Sequence, residues 1–152
     1  MATFLGDFHE VFTSTADANH ARKTFGDLDT IITHYGALEH GEKLDENTVR
    51  FTLKEQNQGV TSFQGRYTCR YLLDDANTLT WDTIGEDGNI KADGTAIFTP
   101  TANGCSIDYH GRLALDMPIN RMMAKVLKPV IQTVIAQEMR AYVKRMISAA
   151  EA

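Results

Sequence analysis

Tyrosines at alternating positions of predicted strands are the residues of this sequence best suited to chemistry. Tyr67 and Tyr71 share one face of the segment FQGRYTCRYL, and Tyr109 falls on the matching face of CSIDYHGRLALD. A phenol orients a carbonyl or hydroxyl group and donates a hydrogen bond to a developing enolate. The alternative is a buried tyrosine that only satisfies a backbone partner. We therefore assign no catalytic residue.

The opposite face of the same strands carries charged side chains. On neighbouring antiparallel strands these side chains predict cross-strand ion pairs that face solvent. If the last strand were bulged or shifted by one residue, His110 and Arg112 would turn inward and form an acid/base and anion clamp. The charged residues in question are Arg66, Arg70, Asp82, Asp108, His110 and Arg112.

Metal and nucleotide motifs are absent from the sequence. There is no HExxH, GxGxxG, GxxxxGK[ST] or GxSxG motif, so we predict no metal site and no cofactor. Cys69 and Cys105 form no CxxC pair or Cys/His cluster and are predicted to be free, buried thiols. The histidines without metal-ligand spacing are His9, His20, His34 and His40.

Composition predicts one globular domain over residues 1–152. The chain is 23% charged and 43% hydrophobic and has no uninterrupted apolar stretch of about 20 residues, so we expect an intracellular, cytoplasmic protein. The formal net charge of -5 disfavours nucleic acid as a partner.

The charge is unevenly distributed along the chain. Residues 119–152 carry six basic and two acidic residues, whereas residues 1–118 carry nine basic and 18 acidic residues. One interpretation is a solvated helix face. The other is peripheral contact with a membrane or an acidic protein through Arg140, Lys144 and Arg145. The sequence does not predict an oligomeric state.

The long C-terminal run from Pro118 to Ala149 supplies the largest apolar surface. Its apolar residues recur at intervals of three and four, as on one broad face of a helix, and that face needs a large apolar partner. Pro129 falls inside this run and predicts a kink near Leu127 to Pro129.

The rest of the chain predicts strands and two short helices. A strand over 3–15 precedes two helices capped by Asp17 and Asp27, the first of which ends at Gly26. About six strands with period two then follow between residues 37 and 116, separated by turns and by a polar loop over 57–62. This order predicts an α+β fold in which about seven antiparallel strands are covered by the long helix.

The segment GTAIFTPTANGCSIDYHGRLAL is followed by a Pro-initiated helix that ends in EMRAYVKRM. Together with the order of elements, these segments resemble the START-like or Bet v 1-like helix-grip superfamily, SRPBCC, which includes polyketide cyclases, coenzyme Q-binding proteins and CoxG-like proteins. First strands of the family often end in Ala-Pro, where this chain has Ser14-Thr15-Ala16-Asp17. The resemblance implies a curved sheet that grips the helix around a cavity for hydrophobic molecules.

The inward-facing residues point to the same cavity. Aromatic and methionine side chains suit an apolar ligand such as a lipid, isoprenoid or polyketide. The alternative for each of them is simple core packing. We expect a binding or carrier protein, with a polyketide cyclase-like enzyme and a CoxG-like docking factor as alternatives. The predicted cavity wall comprises Phe51, Phe63, Tyr67, Tyr71, Trp81, Phe98, Tyr109, Met122, Met123, Val126 and Val130.

Overall fold

The computed structural model describes residues 2–57, 62–74 and 76–152. Residues 58–61 of the predicted polar loop and residue 75 of a predicted turn lie outside this part of the chain. The helices are α1 (Ala18–Gly26), α2 (Leu28–His34) and α3 (Arg121–Glu151). The strands are β1 (Ala2–Ser14), β2 (Leu38–Lys43), β3 (Thr48–Leu53), β4 (Gln56–Asn57), β5 (Ser62–Phe63), β6 (Arg66–Leu73), β7 (Thr78–Thr83), β8 (Ile90–Thr101) and β9 (Gly104–Met117).

Seven of the strands in the described ranges form one antiparallel sheet in the order β1-β9-β8-β7-β6-β3-β2. Each strand from β6 to β8 pairs with the next along the chain, whereas β1 pairs with β9 at the far end of the sequence. The short strands β4 and β5 pair separately with each other. The predicted α+β fold with a long helix over an antiparallel sheet is therefore confirmed.

The two short helices begin where the sequence places their caps. The Asp17 carboxylate accepts hydrogen bonds from the backbone N–H groups of Asn19 and His20, and Asp27 accepts one from Thr30. These bonds satisfy donors that have no partner within the first helical turn. The caps fix α1 beside the sheet, where Phe25 packs edge-to-face on Phe98 with the ring centroids 5.3 Å apart.

Helix α3 begins at Arg121, after its cap Asn120, and continues without interruption past Pro129. The kink expected at Pro129 stays a prediction. The C-terminal half of α3 is anchored: its buried residues are Ile135, Val143, Met146 and Ala150. In addition, the Glu151 carboxylate accepts hydrogen bonds from the Ser14 hydroxyl and the Thr15 N–H, each 2.9 Å long.

The N-terminal half of α3 differs from the sequence-based expectation. The apolar positions were expected to form one buried face, yet several of them lie in solvent. The buried side chains of α3 all lie after residue 134. The exposed apolar residues of α3 are Met122, Met123, Val126, Val130 and Val134.

Candidate functional site

A cavity of about 490 Å³ lies between the inner face of the sheet and the middle of α3. This volume falls within the range of roughly 300 to 1,000 Å³ that is usual for small-molecule sites. Val130 and Val134 of α3 line the cavity and are also 58% and 49% exposed, so the cavity opens to solvent beside them. The residues from the predicted wall that line it are Phe63, Tyr67, Tyr71, Trp81, Tyr109 and Val130.

The remaining residues of the predicted wall lie elsewhere. Phe51 is fully buried behind Tyr67, with the ring centroids 5.1 Å apart, and Phe98 is buried in the core beside α1. The sequence-based wall is therefore corrected for Met122, Met123 and Val126, which lie on the solvent side of α3 and do not line the cavity. Helical periodicity identified these three as apolar but could not tell a buried face from an exposed one.

Several lining residues were missed from the sequence. Leu113, Leu115 and Met117 share the strand face of Tyr109, so extending the alternation of β9 would have found them. Tyr142 belongs to the apolar pattern of α3 and could also have been assigned. Tyr35 follows α2 outside any strand or helix, so no periodic signal points to it.

Aromatic rings form two groups along the cavity wall. In one, Trp81 lies 5.1 Å from Tyr109 and 6.2 Å from Tyr71, measured between ring centroids. In the other, the Tyr35 ring lies 6.0 Å from the Tyr142 ring, measured between centroids. The hydroxyls of Tyr35 and Tyr67 share a hydrogen bond of 2.8 Å in which either oxygen can be the donor. These rings are held by mutual packing, and the wall is therefore rigid and amphipathic.

The tyrosine hydroxyls of the wall are neutral hydrogen-bonding groups. Burial raises the pKa of Tyr35 to about 12, against the smaller opposing effect of the hydrogen bond from Tyr67. Burial also holds the pKa values of Tyr67, Tyr71 and Tyr142 well above the usual 10. Desolvation favours the uncharged form of a phenol. At neutral pH these groups therefore donate protons in hydrogen bonds and do not act as bases.

The hydroxyls of Tyr109 and Tyr142 form no hydrogen bond with any residue in the described part of the chain. The Cys69 thiol also lines the cavity, and burial raises its pKa to about 12, so it is not a thiolate at neutral pH. A ligand with a carbonyl or hydroxyl group would find neutral donors here.

The charged lining residues Lys54, Arg112, Glu138 and Arg145 include three cations and one carboxylate. Lys54 and Glu138 are exposed, which places them at the rim of the cavity. Arg145 donates a 2.8 Å hydrogen bond from Nε to the backbone oxygen of His34, which ties α3 to the end of α2. The interior is therefore apolar with neutral polar tips, and charge is kept near the surface.

The charged strand face is on the outside of the sheet, as the unshifted register predicts. His110 Nε2 lies 2.7 Å from Asp7 Oδ1, and its ring stacks on His9 with the centroids 4.6 Å apart. Arg112 borders the cavity, but its Nε donates to Asp93 at 2.7 Å. The strands β8 and β9 pair without a bulge, so neither His110 nor Arg112 forms the inward clamp.

Two of the three basic residues expected to contact a membrane or an acidic protein form hydrogen bonds within the protein. Arg140 donates from Nε to Glu10 at 2.8 Å, and its guanidinium lies over the Phe8 ring, 5.4 Å from the centroid. Arg145 bonds to His34 as described, whereas Lys144 is exposed. In the described residues no helix is long and apolar enough to cross a membrane.

Comparison with known proteins supports the architecture. No model of a known protein family matches the chain, and no curated protein sequence matches it. Among solved structures, the Zhui aromatase/cyclase of a Streptomyces species superposes with a TM-score of 0.68 at 14% identity, covering 97% of this chain and 94% of that one. The chain has the helix-grip fold.

Two further helix-grip structures are similar over nearly the whole chain. A START superfamily protein from Mycobacterium smegmatis gives a TM-score of 0.65 at 12% identity, with 95% of this chain and 97% of that chain covered. Norcoclaurine synthase from Thalictrum flavum, solved in complex with dopamine and hydroxybenzaldehyde, gives 0.60 at 16% identity, with 97% and 87% covered. At these identities the likeness establishes the fold.

Proposed function

We propose that this helix-grip protein binds or carries a small, largely apolar molecule in the cavity between the sheet and α3. The observation that carries the proposal is the cavity of about 490 Å³, whose interior is aromatic and aliphatic. A packed core would leave few voids larger than a water molecule, so a space of this size favours a bound ligand. Norcoclaurine synthase, which has the same fold, is solved in complex with dopamine and hydroxybenzaldehyde, and this supports a small-molecule ligand here.

The polar groups of the wall narrow the chemistry of the ligand. The free hydroxyls of Tyr109 and Tyr142 favour a ligand with at least one hydrogen-bond acceptor on an otherwise apolar body. Because the charged residues stay near the rim, an ionised group of the ligand would be placed at the mouth. Lipids, isoprenoids and polyketides that carry a carbonyl or hydroxyl group meet these conditions.

Filling the cavity is expected to abolish ligand retention. A Cβ atom at Gly111 would meet the Tyr109 ring at 3.2 Å and the Met139 sulfur at 3.4 Å, so the further carbons of a leucine would enter the cavity. Native mass spectrometry of freshly purified protein, followed by organic extraction, measures the adduct. We expect at least a tenfold loss of adduct in Gly111→Leu and in Ala92→Phe, on the order of 1.4 kcal/mol or more of binding free energy.

The matched control is Gly111→Ala, which adds one methyl group and is expected to keep the adduct. Folding of each variant is followed by its thermal unfolding transition. An adduct of unchanged mass and stoichiometry in both filled variants would show that the ligand lies elsewhere. These filling variants are better probes than Trp81→Ala, because Trp81 packs on two tyrosines and its removal would also cost stability.

A second candidate function is a polyketide cyclase-like reaction, favoured by the Tyr35–Tyr67 hydroxyl pair. Within the pair one neutral phenol donates to the other, which leaves one O–H to donate to a substrate carbonyl and to stabilise the enolate that forms from it. Turnover of a poly-β-keto thioester is then expected to fall about 100-fold in Tyr35→Phe/Tyr67→Phe, since loss of one such donor typically costs that much. The double variant Tyr67→Phe/Tyr109→Phe tests the phenol of Tyr109 together with that of Tyr67. Full turnover in both double variants would exclude a catalytic role for these three tyrosines.

A further inference from the structure

The first half of α3 exposes a continuous apolar surface beside the cavity mouth. The exposed fraction of its apolar residues ranges from 37% for Met123 to 80% for Met122. At 3.6 residues per turn, the five side chains fall within an arc of about 120° on the helix. We call this surface the apolar stripe; it consists of Met122, Met123, Val126, Val130 and Val134.

The stripe is distinct from the face of α3 that belongs to the domain. Leu127 and Ile131, on the adjacent side of the same turns, are half-buried and line the cavity. Val130 and Val134 lie between the two surfaces, because they line the cavity and are also exposed. The stripe therefore runs from the start of α3 directly to the cavity opening. A contiguous apolar patch of this kind on a protein surface marks an interaction site.

Basic side chains flank the stripe on its solvent side. Arg121, Lys125 and Lys128 are exposed, and none of them has a carboxylate partner in the described part of the chain. No acidic residue occurs between Asp116 and Glu138. The rest of the molecule is acidic, so the positive charge is concentrated where the apolar side chains are exposed.

We propose that the apolar stripe and its three cations dock the protein on a membrane surface that carries anionic phospholipids. Exposed methionine and valine side chains bury apolar area at the headgroup boundary, and neighbouring lysine and arginine side chains reach the lipid phosphates. The complementary charge favours a lipid surface over a second copy of this chain. Pairing two stripes about a twofold axis would bring Arg121, Lys125 and Lys128 of both copies together.

Docking in this orientation places the cavity mouth at the lipid surface. The acidic body, with 18 acidic and nine basic residues in 1–118, is held away from an anionic membrane by its own charge. The surface is separate from the C-terminal half of α3, where Arg140 and Arg145 are engaged with Glu10 and His34. Docking therefore does not depend on which molecule the cavity holds.

Vesicle co-sedimentation tests the proposal with the full chain. Vesicles of one part phosphatidylserine to two parts phosphatidylcholine are compared with vesicles of phosphatidylcholine alone. We expect binding to the anionic vesicles that weakens with added salt. Each lysine near a lipid surface contributes about 1 kcal/mol, so Lys125→Glu/Lys128→Glu is expected to lower partitioning about 25-fold or more. Met122→Ser/Val126→Ser is expected to lower it about tenfold.

The chain offers matched controls for both variants. Leu5→Ser/Val11→Ser removes two apolar side chains that are 65% and 59% exposed on the outer face of β1. Lys23→Glu/Lys91→Glu makes the same change in net charge on α1 and β8, outside the apolar stripe and its three cations. Both controls are expected to bind as the unmodified protein does. Equal losses in controls and α3 variants, or no binding to anionic vesicles, would overturn the proposal.

A second measurement uses single-cysteine variants in place of the double variants, and sedimentation tests for self-association. An environment-sensitive dye on Val126→Cys is expected to shift to shorter emission wavelength on anionic vesicles, while the same dye on Val11→Cys stays unchanged; both native cysteines are buried. Sedimentation without vesicles reports the oligomeric state. A dimer that disappears in Met122→Ser/Val126→Ser would assign the stripe to a second copy and overturn membrane docking.

Discussion

Alanine at Gly94 is expected to destabilise the domain by about 3 kcal/mol or more, because overpacking against rigid groups is costly. A Cβ atom there would lie in steric overlap with the Trp81 ring and 2.6 Å from the backbone oxygen of His110. Trp81 is the direct cross-strand partner of Gly94, and its indole can lie against the sheet only because that position has no side chain. The glycine thus fixes the ring that forms the cavity wall.

Gly111 provides a matched control for this prediction. It pairs directly with Gly94 on the neighbouring strand, and its added Cβ would meet only side-chain atoms, the nearest at 3.2 Å. Gly111→Ala is therefore expected to change the free energy of unfolding by less than about 1 kcal/mol. Urea unfolding of both variants measures the difference. Similar stability of Gly94→Ala and Gly111→Ala would mean that Trp81 does not lie against the sheet at this position.

Alkaline pH is expected to unfold the protein steeply between about pH 10 and 12, since buried tyrosines must ionise. Burial raises the pKa of Tyr35 to about 12 and raises the pKa values of Tyr67, Tyr71, Tyr109 and Tyr142 as well. In the unfolded chain tyrosines ionise near pH 10. The folded state holds these protons more tightly, so its stability is complete below about pH 10 and is lost as the pH rises through the folded pKa values.

The expected size of this effect follows from the number of groups. Each tyrosine with a raised pKa lowers the free energy of unfolding by up to about 1.4 kcal/mol per pH unit above 10, and the five together lower it by up to about 14 kcal/mol over two units, which is comparable with the usual 5 to 15 kcal/mol. Ultraviolet absorbance of phenolate and circular dichroism are expected to change together. Phenolate that appears near pH 10 with an intact dichroism spectrum would contradict the buried wall. Tyr35→Phe/Tyr67→Phe removes two titrating groups and is expected to flatten the pH dependence.

The sequence predicted most of the fold because its period changes at identifiable residues. Asp17 and Asp27 mark both short helices, and strand β8 has the predicted bounds Ile90–Thr101. Alternation along the strands also separates the inner face, with Tyr109, from the outer face, with His110. The order of the strands in the sheet confirms the architecture that these local patterns indicate.

The cavity wall was only partly predictable for two physical reasons. Strand alternation assigns a face but not a position along the sheet, so Phe98 at the α1 end could not be separated from Trp81 at the cavity. Helical periodicity identifies which face of a helix is apolar, whereas the burial of that face depends on which other elements pack against it. Met122 and Val126 have the same spacing as the buried residues of α3, yet they are 80% and 66% exposed.

The pairing of β1 with β9 has a consequence for the time at which the cavity forms. The paired residues are between 91 and 115 positions apart in sequence, from Ser14 with Cys105 to Ala2 with Met117. Contacts this distant in sequence form slowly, after local hairpins such as β8–β9. During synthesis, β1 leaves the ribosome before β9 and α3 and has to wait for both. The cavity is therefore completed only after α3 has been synthesised, so a ligand would be loaded after that point and not during synthesis of the sheet.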